Sequence, residues 1–142
     1  MKASLAIAAL LVLGACDSAK PYPDLADKNL RVQTASTGAS VRMEVYALAE
    51  GCGAEYEGTV ALRDPVVHVG VPALRRSRLV FEFEGSGLFE RTSLKKVAEI
   101  VPQPGFRYDA RIAYRDGVYS VELREIDPRS GRVRDLDPIG RC

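Results

Sequence analysis

Apolar and polar residues alternate along most of the chain from Leu30 onward. A period of two is typical of strands with one buried face, because successive side chains of a strand point to opposite sides of its sheet. Clusters of Gly, Pro, Asp and Ser separate the alternating segments. These segments are 30–34, 41–47, 59–63, 66–71, 79–84, 106–114 and 118–124. Many short strands separated by turns predict a mainly β fold, a small antiparallel β-sandwich.

One stretch follows a different pattern and predicts the one short helix of the fold. Its apolar residues have helical spacing, at Leu94, Val97, Ala98 and Val101. Ser93 is a candidate cap, and Pro102 and Pro104 would end the helix. We expect one or two turns there at most.

The hairpin around Asp116-Gly117 has the most specific prediction. Asp-Gly between alternating segments favours a two-residue turn, since Gly accepts positive φ. That turn pairs Arg115 with Val118 and fixes the register of the other cross-strand pairs. One face would pair Tyr114–Tyr119, Ile112–Val121 and Ala110–Leu123, and the other Arg111–Glu122 and Asp109–Arg124. The first face is apolar or aromatic and the second joins opposite charges, so a slip of one residue would destroy both patterns.

The first sixteen residues have a different character from the rest. Lys2 precedes an apolar run over 3–13, which ends in Gly14, Ala15 and Cys16. A positive start, a short apolar run and small residues predict a secretory signal peptide. The run is shorter than the roughly 20 apolar residues that span a bilayer.

The residues Leu13-Gly14-Ala15-Cys16 resemble the lipobox of bacterial lipoproteins. The resemblance implies cleavage between Ala15 and Cys16, a diacylglycerol on the Cys16 sulfur, and an acyl chain such as palmitate on its new amino group. Several acyl chains anchor a protein stably. The protein would then be lipid-anchored to a bacterial cell membrane and face the periplasm. Asp17 resembles the signal that retains enteric lipoproteins in the inner membrane, which favours that membrane over the outer one.

Three parts follow from these patterns: a signal peptide (1–15, removed), the lipidated cysteine with a flexible tether (16–29), and a β-sandwich domain (30–142). The tether is polar, and Pro21 and Pro23 favour an extended chain. Its thirteen residues after Cys16 would reach at most about 43 Å.

The sequence alone does not identify the family of the β-domain. Pro104-Gly105-Phe106-Arg107-Tyr108 leads into a strand and resembles the tyrosine corner of immunoglobulin-like domains. The chain has no Trp, so the usual core tryptophan of that family is absent. A transthyretin-like sandwich or a small barrel fits the pattern equally well.

Cys52 and Cys142 remain once Cys16 is assigned to lipid. Two cysteines in an exported domain predict a disulfide, which would close a loop of about 90 residues. The alternatives are two free thiols or a metal site. Two cysteines and one histidine supply too few ligands for zinc, so no metal is expected.

Composition and motifs point away from catalysis. Apolar residues make up 46% of the chain and the formal net charge is +1, which gives no electrostatic reason to expect nucleic acid as partner. His68, the single histidine, lies in an apolar strand-like run, and no nucleophile-elbow motif is present. The acid pairs Glu55/Glu57 and Glu82/Glu84 are interpreted as solvent-facing. We therefore expect no enzyme, no catalytic residue and no cofactor beyond the covalent lipid.

Two arginine clusters are candidate contacts for anions or for a partner, because Arg binds phosphate and carboxylate in a bidentate manner. The first is Arg75, Arg76 and Arg78, and the second is Arg129, Arg132, Arg134 and Arg141. Alternatively, these arginines solubilise loops and pair with Asp127, Asp135 and Asp137.

Together these features predict a membrane-anchored lipoprotein whose β-domain is an interaction or accessory module in the cell envelope. It would contact the bilayer through Cys16 and bind an envelope protein, as lipoprotein subunits of secretion systems do. The alternative is a periplasmic ligand-binding or inhibitor lipoprotein, for example one that inhibits lysozyme. The Ser-Gly loop motif of such inhibitors is not found here.

Overall fold

The computed structural model describes residues 19–34, 39–86, 91–115 and 118–137. Nine strands lie in these ranges. They are β1 (Leu30–Thr34), β2 (Ala39–Leu48), β3 (Ala54–Ala61), β4 (Val66–Val69), β5 (Ser77–Ser86), β6 (Arg91–Ile100), β7 (Arg107–Arg115), β8 (Val118–Ile126) and β9 (Val133–Leu136). The last strand, β9, has only four residues, of which two are charged, and the alternation pattern did not predict it.

The strands form two sheets packed as a sandwich, which confirms the predicted fold class. Sheet A has the order β3-β2-β5-β6, and sheet B has the order β4-β1-β7-β8-β9. Neighbours are antiparallel except β1 and β7, which run parallel. In the immunoglobulin arrangement the first two strands share a sheet, whereas here β1 and β2 lie in different sheets.

The core lies between the inner faces of the two sheets. Its largest fully buried side chains include Phe81 and Phe83 from sheet A and Tyr108 and Ile112 from sheet B. The ring of Phe83 stacks on that of Tyr119, with centroids 4.1 Å apart. These residues occupy the apolar positions of the period-two pattern, so burial of that pattern is what brings the sheets together.

The β7–β8 hairpin has the predicted register, with Arg115 opposite Val118, Ala110 opposite Leu123 and every predicted pair between them. The turn residues 116–117 lie outside the described residues. Two charged side chains of its outer face contact the flanking strands. Asp109 approaches Arg31 of β1 at 3.8 Å. Arg124 hydrogen-bonds Asp135 of β9 at 3.0 Å.

The predicted helix over 94–101 is wrong, because residues 94–100 belong to β6, and no helix occurs in the described ranges. Pairing with β5 places Leu94, Lys96, Ala98 and Ile100 on the inner face of sheet A. Lys96 interrupts the apolar alternation of that face, which made the helical spacing the stronger pattern. An edge strand tolerates such a lysine, since the long aliphatic stem can lead the ammonium group to water.

Tyr108, at the start of β7, is bonded back to the loop that precedes the strand. Its ring is buried, and its hydroxyl accepts a hydrogen bond from the backbone N–H of Gln103, five residues upstream, at 2.8 Å. The turn between them needs Gly105, whose φ is 79°. The hydroxyl also donates to Glu125 at 2.9 Å. Burial, together with Glu125, raises the pKa of Tyr108 to about 12.

Candidate functional site

Residues 19–29, which precede β1, lie along one side of the sandwich, and we call them the strap. Its first part pairs with the edge strand β3 of sheet A. The backbone N–H of Thr59 donates to the Lys20 carbonyl at 2.8 Å, and the N–H of Tyr22 donates to the Thr59 carbonyl at 3.0 Å. The strap thus covers part of an edge that would otherwise present unpaired backbone groups. Most of the segment predicted as tether is therefore in contact with the domain.

Gly58 lets the strap approach the backbone of β3. A Cβ atom at this position would lie 2.5 Å from the Cα of Tyr22, and the φ of Gly58 is 155°. A side chain is excluded on both counts. Glu57, just before it, is the extra residue of a β-bulge, since Val45 pairs with Gly58 and Tyr46 pairs with Tyr56.

The strap then crosses to sheet B. The Tyr22 hydroxyl donates to the carbonyl of Gly70 at 3.0 Å. Burial raises the pKa of Tyr22, with nearby Glu57 adding to it. A Cβ on Gly70 would lie 2.5 Å from the carbonyl oxygen of Asp27, so this second glycine also permits close approach.

Asn29 ends the strap in a buried position. Its amide nitrogen donates to the Val71 carbonyl at 2.7 Å, and its side-chain oxygen accepts from the Val71 N–H at 2.8 Å. Both bonds satisfy backbone groups of the chain that leaves β4. The strap therefore joins β3 of sheet A to the end of β4 in sheet B.

The predicted arginine cluster leads from the preceding loop into β5, and all three side chains contact carboxylates of the same domain. Arg75 reaches Glu57 of the bulge at 2.6 Å. Glu99 accepts from Arg78 at 2.9 Å and from Arg76 at 3.4 Å. The contacts agree with the alternative that these arginines pair with acidic side chains of the domain. The acids, however, are glutamates and not the predicted aspartates. Three arginines share two glutamates, which leaves this loop with a net positive charge.

Leu74 projects from the same loop and has an unusual conformation. Its φ is 60°, a region that bulky residues seldom occupy, and its side chain is 72% exposed. The backbone is held in place, because the Leu74 N–H donates to the Pro102 carbonyl at 2.8 Å. Val101, next to Pro102, is also exposed. A strained and exposed apolar residue on a fixed backbone is a candidate contact residue.

The second arginine cluster surrounds a turn at the end of β8. Asp127 accepts hydrogen bonds from the Ser130 hydroxyl at 2.7 Å and from the Arg129 N–H at 2.9 Å, and these bonds lower its pKa. Arg134 contacts Glu125 at 2.9 Å. Arg132 and Arg134 line a small pocket of about 250 Å³ with Phe106, Glu125 and Asp127. Arg141 lies outside the described residues.

A basic pocket of about 360 Å³ lies beside the start of β1, and no sequence motif predicted it. Its lining includes Lys28, Arg31, His68 and Arg107, with Asp109 as the acid among them. The registers place His68, Arg31 and Asp109 opposite one another on three adjacent strands. Sequence reasoning considered His68 alone, whereas pairing of β4 with β1 places it beside Arg31. Such a group of donors can bind a carboxylate or phosphate.

The predicted lipidation and disulfide sites are only partly covered by the described ranges. Ala15, Cys16 and Cys142 lie outside them. Cys52 is in the turn between β2 and β3 with a φ of 62°, and it is not without a partner. The Cys52–Cys142 disulfide stays a prediction.

The residues that the structure describes hold no group of three or more His, Cys, Asp or Glu side chains placed to bind a metal ion. Within the same ranges, no helix has the length and apolar character needed to cross a membrane.

Compared with known proteins, the chain matches no family model and no curated protein.

Proposed function

We propose that this protein is a bacterial lipoprotein whose β-sandwich is an interaction module held at the surface of the cell membrane. The observation that carries the proposal is the short stretch of chain between the lipobox cysteine and the strap. Only Asp17, Ser18 and Ala19 separate the lipobox cysteine from Lys20, whose carbonyl is hydrogen-bonded to β3. A lipid on Cys16 would therefore restrain the domain directly, not through a long flexible linker.

The opposite side of the sandwich supports a role in binding a protein. There β6 and β9 are the last strands of their sheets among the described strands. Strand β6 has ten residues and carries the exposed apolar side chains Leu94 and Val97. Sheet edges of this kind bind partner segments by adding a strand. An anchored domain with its strapped side towards the lipid would present this edge to an envelope protein.

Lipid labelling and crosslinking in intact cells test the proposal. The wild-type chain should incorporate labelled palmitate, sediment with membranes and crosslink to a discrete partner. Cys16→Ser should lose all three properties, and Ser18→Ala, two residues away, should keep them. A Cys16→Ser protein that stays labelled and membrane-bound would refute the anchor. A lipidated protein with no crosslinked partner above background would refute the interaction module.

The basic pocket favours a second candidate function, the binding of a small anionic ligand in the periplasm. Lys28, Arg31 and Arg107 supply the positive charge, which is partly offset by Asp109 and by Asp24, the ion-pair partner of Lys28. Calorimetric titration with acidic cell-wall fragments tests this function. Arg107→Gln should weaken any binding, while Lys95→Gln, in β6 of the other sheet, should leave it unchanged. Equal binding by both variants would exclude this pocket, and a lysozyme assay tests the inhibitor form of the hypothesis.

A further inference from the structure

We propose that the surface around the strap and Leu74 is the face on which the domain rests against the lipid bilayer, with Leu74 inserted among the lipids. This inference rests on the proposed lipid anchor at Cys16 and adds an orientation to it. We call the surface formed by Lys20, Tyr56, Leu74, Arg75 and Val101 the bilayer face.

The length of chain between Cys16 and the strap limits how far the domain can lie from the bilayer. Four residue steps join Cys16 to Lys20, so their Cα atoms can be at most about 14 Å apart. Lys20 is fixed on the domain by its bond to Thr59 and by the Tyr56 hydroxyl, which donates to its carbonyl at 3.3 Å. The domain thus cannot stand off the membrane, and the surface next to Lys20 must lie close to the headgroups.

Contacts connect that surface to Leu74. Tyr22, two residues after Lys20, packs against Gly58, and Glu57 beside it pairs with Arg75 at 2.6 Å. Leu74 is the residue before Arg75, and its N–H is bonded to the Pro102 carbonyl, next to Val101. The strap, the bulge of β3 and the loop before β5 therefore form one continuous surface.

The residue types of the bilayer face suit a membrane surface. Leu74 and Val101 are exposed apolar side chains, and insertion into the acyl region would remove Leu74 from water. Tyr56, whose ring is partly exposed, has the amphipathic character favoured at headgroup depth. The arginines of the loop outnumber the glutamates they contact, so the loop can attract anionic headgroups.

The absence of tryptophan from the chain allows a direct test. Leu74→Trp, in the full lipidated protein, would be reconstituted into vesicles of phosphatidylethanolamine and phosphatidylglycerol. The matched control is Val118→Trp. Val118 is also highly exposed, at 61%, and it pairs with Arg115 at the end of β7 remote from Pro102 and Leu74. Brominated acyl chains then report which indole enters the bilayer.

We expect the indole at position 74 to emit at shorter wavelength on reconstitution and to lose most of its fluorescence to brominated lipid. The indole at position 118 should do neither. Vesicle flotation distinguishes a failure of the bilayer face from a failure of the lipid anchor. Floating protein with no quenching at position 74, or equal quenching at both positions, would overturn the bilayer face while leaving the anchor intact. Protein that carries no acyl chains and does not float would overturn both.

Discussion

On one side of the sandwich the strap joins the edge strands β3 and β4, whereas on the other side β6 and β9 end their sheets. The strap is held mainly by close backbone approach at Gly58 and Gly70. Hydrogen bonds to the backbone groups of Thr59 and Val71 also hold it. The contacts on the β6–β9 side are made more by titratable side chains.

On the β6–β9 side, Glu125 links Tyr108 to Arg134, and Arg124 bonds Asp135. Backbone contacts fix a segment in one place, whereas an exposed ion pair such as Arg124–Asp135 contributes little to stability and weakens with salt. The difference suggests one rigid side, suited to holding the domain at an anchor, and one adaptable side, suited to a partner.

The largest expected effect is from Gly58→Ala. The new Cβ would meet the Tyr22 backbone at 2.5 Å, in a conformation that side chains avoid, so the strap must detach or β3 must move. Overpacking and backbone strain together should cost about 3 kcal/mol in the free energy of unfolding.

Urea unfolding measures this change, and limited proteolysis of the strap should become faster. Gly51→Ala is the matched control, since a Cβ there meets nothing within 4 Å. Equal stability of the two variants would show that the strap does not closely contact Gly58.

Removal of the Asn29 side chain should have the next largest effect. Asn29→Ala leaves the N–H and carbonyl of Val71 without their buried partners, which should cost about 2 kcal/mol. Asn29→Asp keeps an acceptor for the Val71 N–H but places a carboxylate oxygen against the Val71 carbonyl in a buried position, so it should cost at least as much as Ala. Hydrogen exchange at the Val71 amide is the measurement. Unchanged protection in Asn29→Ala would mean that the end of the strap is not held by this residue.

On the β6–β9 side, Tyr108→Phe should cost about 1.5 kcal/mol at neutral pH, because Gln103 and Glu125 both lose a buried partner. The pKa of Tyr108 in the folded protein is about 12, against about 10 when unfolded. Between these values the unfolded chain releases a proton that the folded chain keeps, so stability falls as pH rises from 10 to 12.

Thermal unfolding across that range should show a smaller decline in Tyr108→Phe than in wild type. Some decline should remain, since the pKa of Tyr46 is also raised to about 12. An identical decline in the two proteins would assign the pH dependence to other groups.

The sequence was sufficient to predict the register of the β7–β8 hairpin, because Asp116-Gly117 and two side-chain patterns all specify it. It did not indicate contacts that carry no side-chain signal. The strap is bound through the backbone groups of Lys20, Tyr22 and Thr59, and Gly58 and Gly70 contribute by lacking a side chain. A polar segment with two prolines therefore predicted a free tether.

The candidate site was predictable in composition but not in arrangement. Arg75, Arg76 and Arg78 were identified as a cluster, yet the acids that pair with them come from the β3 bulge and from β6. Neither could be placed before the register of the strands was known, since a helical interpretation of β6 puts Glu99 elsewhere. The positive φ of Leu74 had no sequence signal, because Gly or Asn normally occupies such positions.

The smallest expected effect has the opposite sign. Leu74→Gly relieves a left-handed conformation that costs a bulky residue about 1–2 kcal/mol. The greater freedom of glycine in the unfolded chain offsets about 0.5–1 kcal/mol of that gain. The variant should therefore be more stable than wild type by up to about 1 kcal/mol, as measured by urea unfolding. Leu74→Ala, which keeps the strain, should be neutral.

A loss of 2 kcal/mol or more in Leu74→Gly would be the cost typical of a truncated core residue. It would mean that Leu74 is packed, and the bilayer face would lose its central residue. A gain in stability would mean that the natural chain keeps a leucine that its fold does not need. Strain retained at an exposed position implies a use outside the folded domain. Leu74 precedes Arg75, whose contact with Glu57 joins this loop to the bulge of β3 beside the strap, so a lipid at Cys16 would hold Leu74 against the membrane.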